Sequence, residues 1–367
     1  MMARKPEGNL KKGWTTGACA SAAARAAFSF LITGNFENPV TIILPNGQKP
    51  TFKLSRQSSG YNWAEAGIIK DAGDDPDVTH GAEVIVRVAR GVIGQGIQFH
   101  AGEGIGTVTL PGLPLSVGEP AINPGPRQMI SENLCEALSN TAKPDLDITI
   151  SIPGGNKLAL KTMNGRLGIK GGLSVLGTTG IVVPFSCASW IDSIHRGVDV
   201  ALAQGILHIA AATGSTSESA IKKMFNLSEQ ALIDMGDFAG GLLKYLRRKP
   251  VERLTLVGGF GKLTKLAQGH LDLHSGRSSV DMRGLAEIAR RAGGSQNTVK
   301  RIAGGNTALE ALNIAKEDNL KIANSIAAMA RGTALATLAG DMEVDVIVFD
   351  REGKLIGHAS GDASAPK

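Results

Sequence analysis

The sequence predicts two domains of different kind: an α+β domain over residues 1–165, then an α/β domain with a mostly parallel sheet over residues 166–367. Two observations predict it. In the first half, short β-rich runs are broken by glycine, proline and Asn-Gly turns, with only two helical stretches among them. In the second half, continuously apolar runs alternate with helical ones, the pattern of strands buried on both faces of a parallel sheet. The boundary is placed in the glycine-dense stretch Gly154 to Gly172.

Taken in order, Thr16 is expected to cap a helix that starts near Gly17, and the alanine-rich run through Ala27 continues it with high propensity. Strands are expected over Val40 to Leu44, Thr51 to Leu54, Ala64 to Lys70, Ala82 to Ala89 and Gly106 to Leu110. A helix over Pro124 to Leu138 and a strand over Asp147 to Ile152 complete the first domain. In the second, Ile181 to Val183 reads as its first strand, Ile191 to Ala203 as a helix, and Ile206 to Ala211 as a buried strand. A helix over Ser217 to Phe225 follows, and Leu232 to Leu246 and Leu254 to Val257 repeat the alternation, which is that of a Rossmann-like domain. Helices over Val280 to Ala292, Thr307 to Ala315 and Ala323 to Leu338 follow, and Val344 to Ile356 reads as a closing hairpin around Asp350 to Gly353.

Apolar residues make up 43% of the 367, enough for a substantial core, and no uncharged apolar run is long enough to span a bilayer. The N-terminal residues carry positive charge without a signal peptide's apolar stretch, so the expectation is a cytoplasmic protein. Cys19, Cys135 and Cys187 lie far apart and read as core fillers. A net charge of +6 favours an anionic partner. Nucleic acid is disfavoured because the basic residues are dispersed and aromatics are only 4%; a small polyanion fits better.

Ligand positions in an open α/β sheet lie beyond the carboxyl ends of strands. Two corners qualify. Thr213-Gly214-Ser215 follows one apolar strand, although Ser215 and Glu218 have capping-box spacing that would explain them without a ligand. Gly258-Gly259-Phe260-Gly261-Lys262 follows another, with three glycines that let backbone N–H groups meet a ligand; it matches neither a Walker A loop nor GxGxxG. Thr15-Thr16-Gly17 and Thr178-Thr179-Gly180 echo each other and offer hydroxyl and amide donors suited to carboxylates. Asp71, Asp74, Asp75 and Asp77 crowd one segment, but without EF-hand spacing they read as turn-capping residues. His270 and His274 have i, i+4 spacing but lack the HExxH glutamate, and no metal site is expected.

The most informative segment is Ala101 to Ile130, with six glycines and five prolines, a composition suited to a shaped, ligand-holding loop. Together with Gly13 to Ala27, Lys70 to Gly81, Asn164 to Ser186 and Gly261 to Ser275, it resembles the CbiD family, in the same order and over nearly the whole chain. His80 and Gly259-Phe260 depart from that family's pattern.

The resemblance implies an S-adenosylmethionine-dependent C-methyltransferase acting at C1 of cobalt-precorrin-5B in cobalamin synthesis, the cobalt arriving with the substrate. On that basis the methyl donor is assigned to Thr213, Gly214, Ser215, Gly258, Gly259, Gly261 and Lys262. The tetrapyrrole is assigned to Thr15, Thr16, Gly104, Arg127, Arg166, Lys170, Thr178 and Thr179, with the three cations converging at a mouth between the domains. Glu103 and His100 are the candidate general bases. Expected partners are the small-molecule substrate and, at most, further copies of the chain, with no nucleic acid and no membrane. A non-catalytic tetrapyrrole carrier and a nucleotide-dependent phosphotransferase are the competing readings.

Overall fold

The computed structural model describes residues 8–138 and 144–361. They form two compact units that part between Cys187 and Ala188. Unit 1 opens with β1 (Gly13–Trp14) and α1 (Thr16–Thr33), followed by β2 (Val40–Thr41), β3 (Thr51–Phe52), β4 (Arg56–Ser59), β5 (Trp63–Ile69), β6 (Glu83–Arg90), β7 (Ile97–Ala101) and β8 (Thr107–Val108). It continues with α2 (Pro124–Ala137), β9 (Leu146–Ser151), α3 (Gly155–Ala159), β10 (Ile169–Lys170) and β11 (Ile181–Val182).

The main sheet of unit 1 has the order β4-β5-β6-β9-β7, antiparallel except for the β7–β9 pair. Val84, Val86 and Val88 of β6 and Ile148 and Ile150 of β9 alternate onto one face, in the core that α1 covers and α2, packed against α1, joins. Each such side chain contributes about 1.5–3 kcal/mol on burial. Helix α1 is buried over most of its length because its alanines let it lie close to both the sheet and α2. Its cap is Thr15, not Thr16: the Thr15 Oγ1 accepts the Ala18 N–H at 3.2 Å, and Thr16 is already helical and buried. The expected strand at Val40 to Leu44 shortens to β2 because the Ile43 peptide bonds to the Asn133 side chain instead, N–H to Oδ1 at 2.7 Å and Nδ2 to the carbonyl at 2.9 Å.

Unit 1 extends beyond the expected 165/166 boundary because β10 pairs with β8 and β11 with β1. Ile181–Val182 is therefore not the first strand of the second domain's sheet. The glycine- and proline-rich loop is an ordered part of this unit. At Gly104, φ is +74° and an added Cβ would sit 2.0 Å from the Ile152 carbonyl oxygen, so neighbouring backbone explains this glycine.

Unit 2 is led by α4 (Cys187–Ala203), whose first residue closes unit 1. Next come β12 (His208–Ala212), α5 (Ser215–Phe225), β13 (Leu232–Asp234), α6 (Ala239–Leu246), β14 (Arg253–Gly259) and α7 (Phe260–Ala267). Helices α8 (Met282–Arg291), α9 (Gln296–Ala303), α10 (Ala308–Glu317) and α11 (Ile322–Leu338) precede the hairpin of β15 (Glu343–Phe349) and β16 (Leu355–Ala359).

The sheet order is β13-β12-β14-β15-β16, with β12, β13, β14 and β15 mutually parallel and β16 antiparallel to β15. Both faces are covered. Ile209, Ala211, Leu254, Leu256, Val344 and Val346 face the larger core with α6, α7 and α11, while Ala210, Ala212, Val257 and Ile347 face Ile221 of α5. Helices α7 and α9, eight residues each, are additions to the expected elements. The Ser215–Glu218 capping box does not form: Gly214 is the N-cap, with no side-chain cap bond, and Ser215 lies inside the helix.

Candidate functional site

In unit 2 the chain leaves β12 toward β13 on one side and then crosses to β14 on the other. The carboxyl ends of β12 and β14 are thus the point where the order reverses, the usual ligand position in open α/β sheets. Both glycine corners lie there: Thr213, Gly214 and Ser215 after β12, and Gly258 to Lys262 across the end of β14 and the start of α7.

The glycines divide into two kinds. A Cβ on Gly258 would lie 2.6 Å from Thr213 Oγ1, so internal packing accounts for that residue. Around Gly214 and Gly259 an added Cβ would meet nothing within 4 Å, and at Gly261 the nearest atom is the Ala308 Cβ at 3.7 Å. None of these three has a left-handed φ. Their backbone is left bare without any demand from the fold, which fits close approach by a ligand. Lys262 is already engaged: its Nζ donates to the Thr213 carbonyl at 2.6 Å and stands 3.1 Å from Asp237 Oδ1. It ties the ends of three strands together, which leaves it poorly placed for the phosphate role a phosphotransferase would need.

Two residues here escaped sequence reasoning. Asp237 follows β13, and Trp190 lies on α4; among the described residues, Asp237 Oδ1 and Trp190 Nε1 are the buried side-chain polar atoms with no hydrogen bond, although Asp237 Oδ1 is ion-paired to Lys262. An acidic residue just past the second strand of the unit was the legible signal for Asp237, whereas nothing local marks Trp190. Nearby, Lys265 is held below the ordinary lysine range by burial, against the opposing charge of Asp237, and donates to the Leu273 carbonyl at 2.9 Å.

The cavity lined by Phe225, Arg253, Asp345 and His358 lies toward the opposite, amino ends of β14 and β15, and its volume of about 10 Å³ admits one water at most.

In unit 1 the two threonine-glycine motifs meet. The Thr15 N–H donates to the Gly180 carbonyl at 3.0 Å, the Gly17 N–H to the Leu176 carbonyl at 2.9 Å, and β1 pairs with β11. A Cβ on Gly125, at the start of α2, would lie 3.2 Å from Thr178 Cα, so the N-terminus of α2 adjoins the same cluster. Thr178 and Thr179 are exposed, and Thr179 Oγ1 closes a local turn with Ile181.

The cations have separate tasks. Arg127 donates from Nε to the Ile122 carbonyl at 2.8 Å and from Nη2 to Glu119 at 3.3 Å, so it pins the glycine-proline loop. Lys170 is exposed on β10, opposite Thr107 of that loop. Arg166 lies half-buried in the turn before β10. Gly104, as shown above, is a packing position.

His100 lies on β7 with Nε2 2.8 Å from Asp147 Oδ1, a carboxylate that orients its ring. Glu103 is exposed in the turn that follows and makes no side-chain hydrogen bond or ion pair among the described residues. Both are open to a ligand, and only His100 has an orienting partner.

The acidic segment is occupied by its own contacts. Lys11 pairs with Asp71, Asp74 accepts the Lys11 N–H, and Asp75 accepts the Phe185 N–H at 2.8 Å. Asp77 pairs with the buried Lys70; burial pushes its carboxyl up, but the Lys70 charge and hydrogen bonds from Lys70 and Thr79 hold it below the ordinary range. His80 accepts the Ala72 N–H at 3.1 Å, another turn contact. His270 and His274 lie outside any helix, so their spacing does not place them on one helical face. No group of three potential metal ligands occurs among the described residues, and no helix there is long and apolar enough to cross a membrane.

Residues 3–184 match the CbiD family and residues 272–360 its C-terminal domain. A Brucella canis protein named cobalt-precorrin-5B C(1)-methyltransferase is 56% identical over 96% of this chain and 97% of its own length. One of the same name from Methylorubrum extorquens is 55% identical over 95% and 97%. A crystal structure of the cobalamin biosynthesis protein cbiD from Archaeoglobus fulgidus is 28% identical and covers 74% of this chain and 84% of that one, with a TM-score of 0.40. By its near full-length similarity to these relatives, this chain belongs to the CbiD family.

Proposed function

We propose that this chain is an S-adenosylmethionine-dependent methyltransferase that adds a methyl group to C1 of cobalt-precorrin-5B, giving cobalt-precorrin-6A. The observation that carries it is the 56% identity, over 96% of the chain, to relatives bearing that name. The bare backbone at Gly214, Gly259 and Gly261 supports placing the donor in unit 2, read as a Rossmann-like domain. The sulfonium supplies an electrophilic methyl group, and its sulfur leaves as a neutral thioether when a ring carbon attacks. The protein's task is then to align the two reactants and exclude water. Gly214, Ser215, Gly259 and Gly261 line the donor, with Thr213, Gly258 and Lys262 holding the corners in place. Thr178 and Thr179, near the start of α2, and the exposed Lys170 take peripheral carboxylates of the macrocycle; Thr15 and the buried Thr16 hold the start of α1 beside them, Arg127 shapes the loop and Arg166 lies in the turn before β10. His100, steadied by Asp147, or the exposed Glu103 accepts the proton the macrocycle loses after the new bond forms.

Incubation with cobalt-precorrin-5B and S-adenosylmethionine, followed by mass analysis, is the test. One added methyl group is expected. Tight macrocycle binding with no mass change would instead favour a carrier.

A further inference from the structure

We infer that Asp237 and Trp190 form the subsite for the ribose hydroxyls of the methyl donor, an assignment that rests on the reading of unit 2 as the donor-binding unit. Buried polar groups in folded proteins almost always have partners, and each exception calls for a cause. Here the Trp190 indole N–H is such an exception, and close to it Asp237 Oδ1 is buried with an ion pair to Lys262 but no hydrogen bond. Trp190 Nε1 would lie 3.4 Å from a Cβ on Gly236, the residue before Asp237. Asp237 Oδ1 is 3.1 Å from Lys262 Nζ, which in turn bonds the Thr213 carbonyl at the end of β12. Both atoms therefore belong to the carboxyl edge of the sheet, beside the corner that carries Gly214 and Gly259.

Their chemistry selects the ligand group. The indole N–H only donates and the carboxylate only accepts, so their natural complement is a group that can do both. A vicinal diol meets this, one hydroxyl donating to Asp237 Oδ1 and one accepting from Trp190 Nε1. The donor's own ammonium is the competing group for Asp237. It is disfavoured because Lys262 already stands against that carboxylate and Lys265 also lies within its field, so a third cation would be repelled. A neutral hydroxyl incurs no such repulsion.

The test uses the full chain and two probes, S-adenosylhomocysteine and its 2′,3′-dideoxy analogue, titrated by calorimetry. The wild type is expected to bind the dideoxy probe about ten- to a hundred-fold more weakly, the loss of a hydrogen bond to a charged acceptor. Asp237→Asn and Trp190→Phe, both close in shape to the residues they replace, should each weaken S-adenosylhomocysteine and narrow the gap between the probes. If either variant proves unstable, the other carries the comparison. Gly259→Val tests the underlying reading, since it fills the bare corner without touching the proposed diol site. Weakened binding in Gly259→Val with an undiminished probe gap in both other variants overturns the diol subsite and leaves the donor crevice standing. Unchanged affinity in all three variants, or no binding by the wild type, overturns the crevice as well.

Discussion

Glycine has two separate uses in this chain, and single substitutions tell them apart. At Gly104 an alanine would need a left-handed backbone and would press its Cβ against the Ile152 carbonyl. The expected cost is about 2 kcal/mol or more, read as a lowered midpoint in denaturant unfolding; an unchanged midpoint would mean the loop can open at no cost. Gly258→Val is likewise a stability probe, because its side chain would collide with Thr213 before meeting any ligand. The sequence shows where glycines occur but not which face backbone and which face space. Glu103→Gln asks a different question. It preserves shape while removing a base, so turnover should fall about a hundredfold with macrocycle affinity nearly unchanged if Glu103 takes the proton. Full activity would pass that role to His100, whose ring Asp147 already orients, and His100→Gln should then show the same pattern.

At the scale of elements, what could be read from sequence tracks burial. The central strands β5, β6, β9, β12, β14 and β15 announce themselves through alternation or unbroken apolar runs, because each is packed on at least one face. The edge strands β4 and β7 are largely exposed and carry no such pattern. Strand β10 carries no strand pattern of its own, and β11 joins unit 1 and not the second domain's sheet; their partners, β8 and β1, are remote in sequence, and only the fold reveals which unit they join. The parallel strands also carry a pH response. His208, at the start of β12, is depressed below its ordinary 6.5 chiefly by burial and further by the Arg253 charge, against the opposing charge of Asp345. The folded chain therefore resists the proton that the unfolded chain takes up, so stability present above pH 6.5 is lost as pH falls through that value. Thermal unfolding at about pH 7.5 and about pH 5.5 should show a smaller drop in His208→Gln than in the wild type. Equal drops would show that other groups govern the acid limb.

For the molecule as a whole, the net charge of +6 and a substrate bearing many carboxylates make ionic strength the informative variable. The structure refines which charges count. Arg127 is held by loop carbonyls and Glu119, so its removal should loosen the loop more than it reduces a long-range attraction. Lys170 is exposed on the strand opposite the same loop, which leaves its ammonium available to a carboxylate. An exposed pair of this kind contributes on the order of 1 kcal/mol or less, so Lys170→Met should weaken the macrocycle a few-fold and lower the slope of its affinity against salt. Donor affinity should change little in the same titration, because the donor carries little net charge and the Asp237 carboxylate beside its proposed site is largely buried. Macrocycle affinity that is flat from low to high salt would mean the substrate is held by apolar and neutral contacts, and the exposed Thr178 and Thr179 would then be its principal anchor.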